Sequence, residues 1–468
     1  MGSFARPSGA CVGSLAVMGE PAALKWLAGL VERSPDRPPE TGDLRGWPFL
    51  TMVLIGISIS APFFAFGGQL GQHAAFGKLA TGIILGSLVL GVWGVATGYV
   101  GVTVRLPTAM IIRRTFGTRG SLAIVALMIV SSLCWFGIQT QILVKSAAAI
   151  LQTELGYHLD QRVGIALAGA LIASTAIIGV KAMGKVAGIS VPLLLAATLI
   201  PLLIGFGRGG GTALEAPRVL TAPFGLGMII STVVGAEVFG CAINPDLSRF
   251  LRTPRDNAAA MFINYGVAFP VLLILAAALG VMYGNADLVA TLMATGIALP
   301  GLFVIILATW TSNDKNLYAS SLSLSAFFPG VERWQLATGA AALGAGLAAT
   351  DILGHFITWL TFMGLLVAPM SGVYVADFVL HRARYFSDAT EAPAFRLAPL
   401  GAWIFGIVVG VATLPRSSLG LGLFQITRAP SIDALLAAML FVFAASRLNA
   451  LAVKRRATVD LAEVSNVR

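Results

Sequence analysis

The residues best equipped for chemistry lie inside long apolar runs. The stretch WTSNDKNLY at 310–318 places Thr311, Ser312, Asn313, Asp314, Lys315 and Asn316 in consecutive positions. On a helix, Thr311 and Lys315 stand one turn apart, and so do Ser312 and Asn316. Hydroxyls together with backbone carbonyls are hard oxygen ligands for a small alkali cation. Amides both donate and accept, which suits the edge of a heterocycle. The stretch LCWFGIQTQ at 133–141 sets Trp135 and Gln139 on one helix face, an indole plate and an amide able to stack on and bond a flat ligand. The stretch VVGAEVFGCAINPD at 233–246 carries a lone acid, Glu237, with the aromatic Phe239 close by.

Each cluster has a plainer reading. Trp135 and Gln139 can be core packing plus an interhelical bond. Glu237 can carry protons or form an ion pair with Lys315. Asp314 and Lys315 can mark a loop end. Ionisable groups in such runs are costly, which argues for function. No P-loop, HExxH or GxSxG stands in a suitable setting. Cys11, Cys134 and Cys241 make no disulfide framework or metal spacing, and His73, His158, His355 and His381 share no ligand spacing.

The elements that position these residues follow from composition. Of 468 residues, 57% are hydrophobic and 11% charged, with a mean hydropathy of +0.86. Soluble domains run near 45–50% apolar and about 25% charged. The balance excludes a soluble enzyme, a disordered chain and a nucleic-acid binder, and implies a polytopic helical membrane protein. At about 20 apolar residues per crossing, twelve spans are predicted: 48–70, 80–104, 121–149, 163–180, 186–206, 222–243, 259–283, 297–323, 334–350, 355–380, 398–415 and 431–450. With the N-terminus inside, most of the 31 Lys and Arg fall in inside segments, as the positive-inside rule requires. The net charge of +10 is therefore an orientation signal.

The organisation expected is a cytoplasmic tail at 1–45, a ten-helix core at 46–385, two further spanning helices at 386–450 and a cytoplasmic tail at 451–468. The first span contains Pro62 and the pair Gly67–Gly68; the sixth contains Gly235, Gly240 and Pro245. Trp135 and Trp310 stand 175 residues apart, as equivalent positions of a five-plus-five repeat would. Such a repeat makes the first and sixth helices discontinuous, which is tolerated only around a cavity.

WFGIQ at 135–139, NPDLSRFLRTPRDN at 244–257, WTSNDKNLYASSLSLS at 310–325 and MSGVYVADFVLHRARY at 370–385 resemble the nucleobase:cation symporter-1 family, especially its cytosine/purine permease branch. The resemblance implies an all-α LeuT-type inverted-repeat core plus two helices. It implies a secondary active transporter, not an enzyme, that imports a nucleobase such as cytosine or a purine across the plasma (inner) membrane by alternating access. Hydantoin, allantoin or a thiamine-precursor pyrimidine is an alternative cargo; a channel or intramembrane enzyme is a remote one. No cofactor is implied beyond a coupling ion, Na⁺ or H⁺. The partners implied are the substrate and the bilayer, with no nucleic acid and no obligatory protein.

By the same resemblance, Trp135 is the stacking aromatic and Gln139 its amide partner. Asn313 and Asn316 fall at the substrate and ion sites. Ala308, Thr311 and Ser312 form one half of a sodium site whose other half is main chain near Ser60–Phe63. Two positions depart from the pattern: Lys315 stands where the cytosine branch commonly reads NDNN, and Glu237 where an aromatic or small polar residue is usual. Phe239 stands in for the missing aromatic.

Overall fold

The computed structural model describes residues 38–466, apart from 59, 179–191, 194–195, 197–198, 217–222, 285–287, 326, 329, 351, 353–355 and 387–391. Most of the predicted N-terminal tail, residues 1–37, and much of the fifth predicted span lie outside the described residues. The described chain is helical and holds no β-strand. In lipid every backbone N–H and C=O must be satisfied internally, and an apolar helix does that within one segment.

The first span is two helices, α1 (Trp47–Ser58) and α2 (Ala61–Leu70), bent by 60°. Ser60 is extended, at φ −124° and ψ 154°, and Pro62 opens the second piece. Proline suits a first turn because its missing N–H would be unsatisfied there anyway. Next come α3 (Phe76–Val104), α4 (Thr108–Phe116), α5 (Ser121–Leu155) and α6 (Gln161–Ile178). The sixth span is α7 (Leu226–Ala242) followed by the short α8 (Pro245–Ser248), interrupted at Ile243–Asn244. The break thus falls just before Pro245, while Gly235 and Gly240 stay helical.

The seventh span starts at α9 (Pro254–Ile263), where Thr253 and Asp256 form a capping box. It passes through a π-helical turn, Asn264–Ala268, into α10 (Phe269–Met282). Then follow α11 (Ala298–Ser325), α12 (Arg333–Ala348), α13 (Phe356–Leu380), α14 (Leu397–Thr413) and α15 (Pro430–Asn466). Six described helices are long and apolar enough to cross a membrane, seven with the bent pair. Among the other described helices, α12 and α14 are shorter, and the polar run of α11 lowers its hydropathy.

In the core α11 packs along α5, and α7 along α3 and α13. The α3–α8 approach depends on Gly101, where a Cβ would strike Ser248 Oγ and come within 2.6 Å of Pro245 Cα. Asn244 Nδ2 donates to Gly94 O at 3.0 Å and Ser248 Oγ to Gly98 O at 3.2 Å. The NPDLS motif is therefore a clamp on α3. At the same end of the bundle, Asp377 accepts two bonds from Arg384, at 2.6 and 2.8 Å, and one from Tyr385 at 2.7 Å. Tyr385 also bonds Thr115 on α4 at 2.7 Å. Burial, and then the Asp377 carboxylate, hold the Tyr385 phenol well above its usual range.

Candidate functional site

The break in the first span, α5, α7 and α11 meet around a cavity. Its apolar wall includes Ile57, Phe63, Trp135 and Phe239, and its polar wall Gln139, Glu237, Lys315 and Asn316. Trp135 is 5% exposed. Phe63 lies 6.0 Å from it, centroid to centroid, and Phe356 meets it edge-on at 5.8 Å. Neighbouring rings thus fix the indole, which presents an aromatic surface to the cavity.

Two cavity amides are oriented by their neighbours. Asn313 Nδ2 donates to Phe136 O at 3.2 Å, and a carbonyl can only accept. Asn313 Oδ1 therefore faces Asn316, whose Nδ2 donates to it at 3.0 Å. That turns Asn316 Oδ1 the other way, as an acceptor. Ser312 Oγ donates a short bond to Gln139 Oε1, which leaves the Gln139 amide N–H groups unspent. Tyr265 donates to Glu237 Oε2 at 3.1 Å, leaving Oε1 unspent, and Lys315 Nζ donates to Gly240 O at 3.3 Å. The cavity thus offers donors on Gln139 and Lys315 and acceptors on Glu237 and Asn316, beside an indole face. A flat ring with carbonyl and N–H groups on its edge can satisfy all four.

Most of the substrate residues read from sequence come together here: Trp135, Gln139, Glu237, Phe239, Lys315 and Asn316. Asn313 does not line the cavity; it orients Asn316. The expected contact ion pair is absent, because Glu237 bonds Tyr265 and Lys315 bonds the Gly240 carbonyl. The two charges do converge on Gly240, where a Cβ would collide with Glu237 Oε2 and stand 3.1 Å from Lys315 Nζ. Asp314 faces away from the cavity, accepting from Thr175 Oγ1 at 2.6 Å, and Trp310 Nε1 bonds the same hydroxyl at 2.7 Å.

The sodium-site residues are assembled only loosely. Ala308 packs with Ile55 and Phe64, so α11 does meet the helix 1 break. Thr311 Oγ1 donates to Leu307 O at 2.8 Å, which leaves its lone pairs free. Ser60 Oγ is buried without a partner, but Ser60 O already accepts from the N–H groups of Phe63 and Phe64. Phe63 contributes its ring to the cavity. Sequence reasoning missed Tyr265 and Asn264, and read Gly240 only as a helix-disrupting position. The two polar side chains inside the apolar seventh span were the available signal for the missed pair.

Broken helices around a mid-bundle cavity are the arrangement of an integral membrane transport protein. The family described as "Permease for cytosine/purines, uracil, thiamine, allantoin" matches residues 41–426. The chain belongs to that family: it is a secondary transporter of small nucleobase-like solutes, not an enzyme. It is 28% identical over 372 residues to the cytosine permease of Escherichia coli strain K12, covering 77% of this chain and 86% of that protein. It is 24% identical over 365 residues to the hydantoin permease of Microbacterium maritypicum, covering 73% and 74%. The fold is similar to that of Mhp1, a nucleobase-cation-symport-1 family transporter solved in a closed conformation with bromovinylhydantoin bound. The TM-score is 0.76 at 19% identity, over 90% of this chain and 96% of that one. A Na⁺-coupled sialic acid symporter aligns at a TM-score of 0.65 and 14% identity, over 91% and 96%.

Proposed function

We propose that this transporter imports a planar nucleobase-like heterocycle by sodium symport, holding the ring against Trp135. The observation that carries this reading is the set of remaining donors and acceptors on four polar side chains that converge beside one buried indole. Gln139 and Lys315 donate to ring carbonyls or bare nitrogens, and Glu237 and Asn316 accept ring N–H groups. The fitting cargo is a cytosine- or purine-type base, or a ring with the same edge such as hydantoin. Sodium is favoured by the unpartnered Ser60 hydroxyl at the helix 1 break and the free lone pairs of Thr311 on α11. A proton is the second reading, favoured by the buried carboxyl of Glu237 in the cavity itself. The gradient supplies about 2.3 kcal/mol per charge per 100 mV, and binding of both solutes favours the inward-facing state.

The clustering of Arg105, Arg249, Arg384 and Arg396 around one end of the bundle supports placing that end, and both termini, in the cytoplasm. On this reading 46–385 is the transport core and 386–450 adds two helices. Uptake of radiolabelled cytosine, uracil, hypoxanthine and hydantoin into proteoliposomes tests the function. Saturable uptake of at least one, lost when sodium is replaced by choline and lost in Trp135→Ala, is expected. No accumulation of any above an ionophore-collapsed control overturns the reading. Uptake unchanged in choline, and driven instead by an imposed pH gradient, replaces sodium with the proton.

A further inference from the structure

The seventh span changes its winding beside the cavity. Asn264–Ala268 is a π-helical turn between two α-helical pieces. A π-turn inserts an extra residue per turn, is less favourable than continuous α-helix, and concentrates at functional positions. Its first two residues reach different places. Asn264 accepts from Ser58 Oγ, at the last residue of α1 before the break, at 3.1 Å. Tyr265 donates to Glu237 Oε2 in the cavity at 3.1 Å. Both residues are buried, Asn264 at 0% and Tyr265 at 2% exposure. In a regular α-helix adjacent side chains diverge by about 100°, and the wider turn resets which neighbours they meet.

A second line of contact runs in parallel. Tyr265 meets Phe269 edge-on at 5.7 Å, Phe269 meets Phe63 of α2 at 5.3 Å, and Phe63 faces Trp135. The π-turn is thus tied to both sides of the helix 1 break and to both walls of the cavity.

We propose that Asn264 and Tyr265 form a positioning relay, in which Tyr265 sets the Glu237 carboxylate for substrate while Asn264 holds the end of α1. Occupancy of the cavity and the state of the helix 1 break are then linked through one turn of backbone. This rests on the proposed reading of Glu237 as a substrate residue. Linkage of this kind is reciprocal: whatever factor the substrate applies to cation affinity, the cation applies to substrate affinity.

The test uses the full-length transporter in proteoliposomes, with Tyr265→Phe, Ser58→Ala and the double variant. Tyr265→Phe keeps the ring contacts and removes only the hydroxyl; Ser58→Ala removes only the Asn264 bond. The measurements are substrate KM and the sodium concentration giving half-maximal uptake. The expected result is that each single variant raises both values, by about tenfold in Tyr265→Phe, which loses a buried bond to a charged group, and by roughly threefold in Ser58→Ala, which loses a bond between neutral groups. The double variant is then no worse than the weaker of the two singles. The relay is overturned if Tyr265→Phe raises KM alone, or if the two effects multiply. If the unsubstituted transporter carries none of the bases offered, the functional reading itself fails. The relay is then judged without substrate: the sodium midpoint for thermal stabilisation moves in Tyr265→Phe if it exists and stays put if it does not.

Discussion

Replacing Gly240 with alanine puts one methyl group where two opposite charges converge. The added Cβ would overlap Glu237 Oε2, and it would stand 3.1 Å from Lys315 Nζ. The obstacle is the tip of a flexible side chain, so the helix need not move. Glu237 swings aside and loses its 3.1 Å bond from Tyr265. A hydrogen bond to a charged group is worth about 1.5–3 kcal/mol, and each 1.4 kcal/mol is about tenfold in affinity. Substrate KM should therefore rise roughly 10- to 150-fold. Stability should fall only modestly, by about 1–2 kcal/mol, because alanine in mid-helix returns roughly 0.5–1 kcal/mol of what the lost bond costs. Radiolabelled uptake gives KM, and thermal unfolding in detergent reports the fold. An unchanged KM would refute the convergence on Gly240. A collapse in unfolding temperature would mean that backbone, not the carboxylate, fills that space.

Other changes separate site from scaffold. Gly101→Ala drives a Cβ against the Pro245 backbone and should destabilise by about 1–3 kcal/mol, whereas exposed Gly339, with open space around it, should gain roughly 0.5–1 kcal/mol as alanine; thermal unfolding compares them. Asn316→Ala should raise KM and, by stripping the buried Asn313 Oδ1 of its donor, destabilise by about 1–3 kcal/mol, while Asn313→Ala strips the buried Phe136 carbonyl of its donor and should destabilise by a similar amount. Asp377→Ala leaves Arg384 and Tyr385 without their shared acceptor and should cost about 3 kcal/mol, read as earlier unfolding with substrate KM unchanged in the surviving protein.

Some of this architecture is legible along the chain and some is not. The spans were readable because lipid demands long apolar runs, and the break at Pro62 because proline cannot continue a helix. Trp135 and Gln139 reach the same cavity because they sit four apart on one helix. The polar run of α11 was harder to divide. Asn313, Asp314, Lys315 and Asn316 are adjacent in sequence, yet a helix turns each about 100° from the last. Lys315 and Asn316 therefore reach the cavity, Asp314 reaches Thr175 on α6, and Asn313 reaches the main chain of α5. Which face points where depends on the packing of α11 against its neighbours.

By itself, then, the sequence determined the solvent, the class of fold and the family, since hydropathy, charge placement and local motifs are properties of consecutive residues. Only the tertiary structure decided how charge is arranged in the cavity. It joined Tyr265 rather than Lys315 to Glu237, made Gly240 the meeting point of opposite charges, and linked a π-turn to the helix 1 break. Those outcomes depend on distances of about 3 Å between side chains on separate helices, and no spacing along the chain encodes such distances.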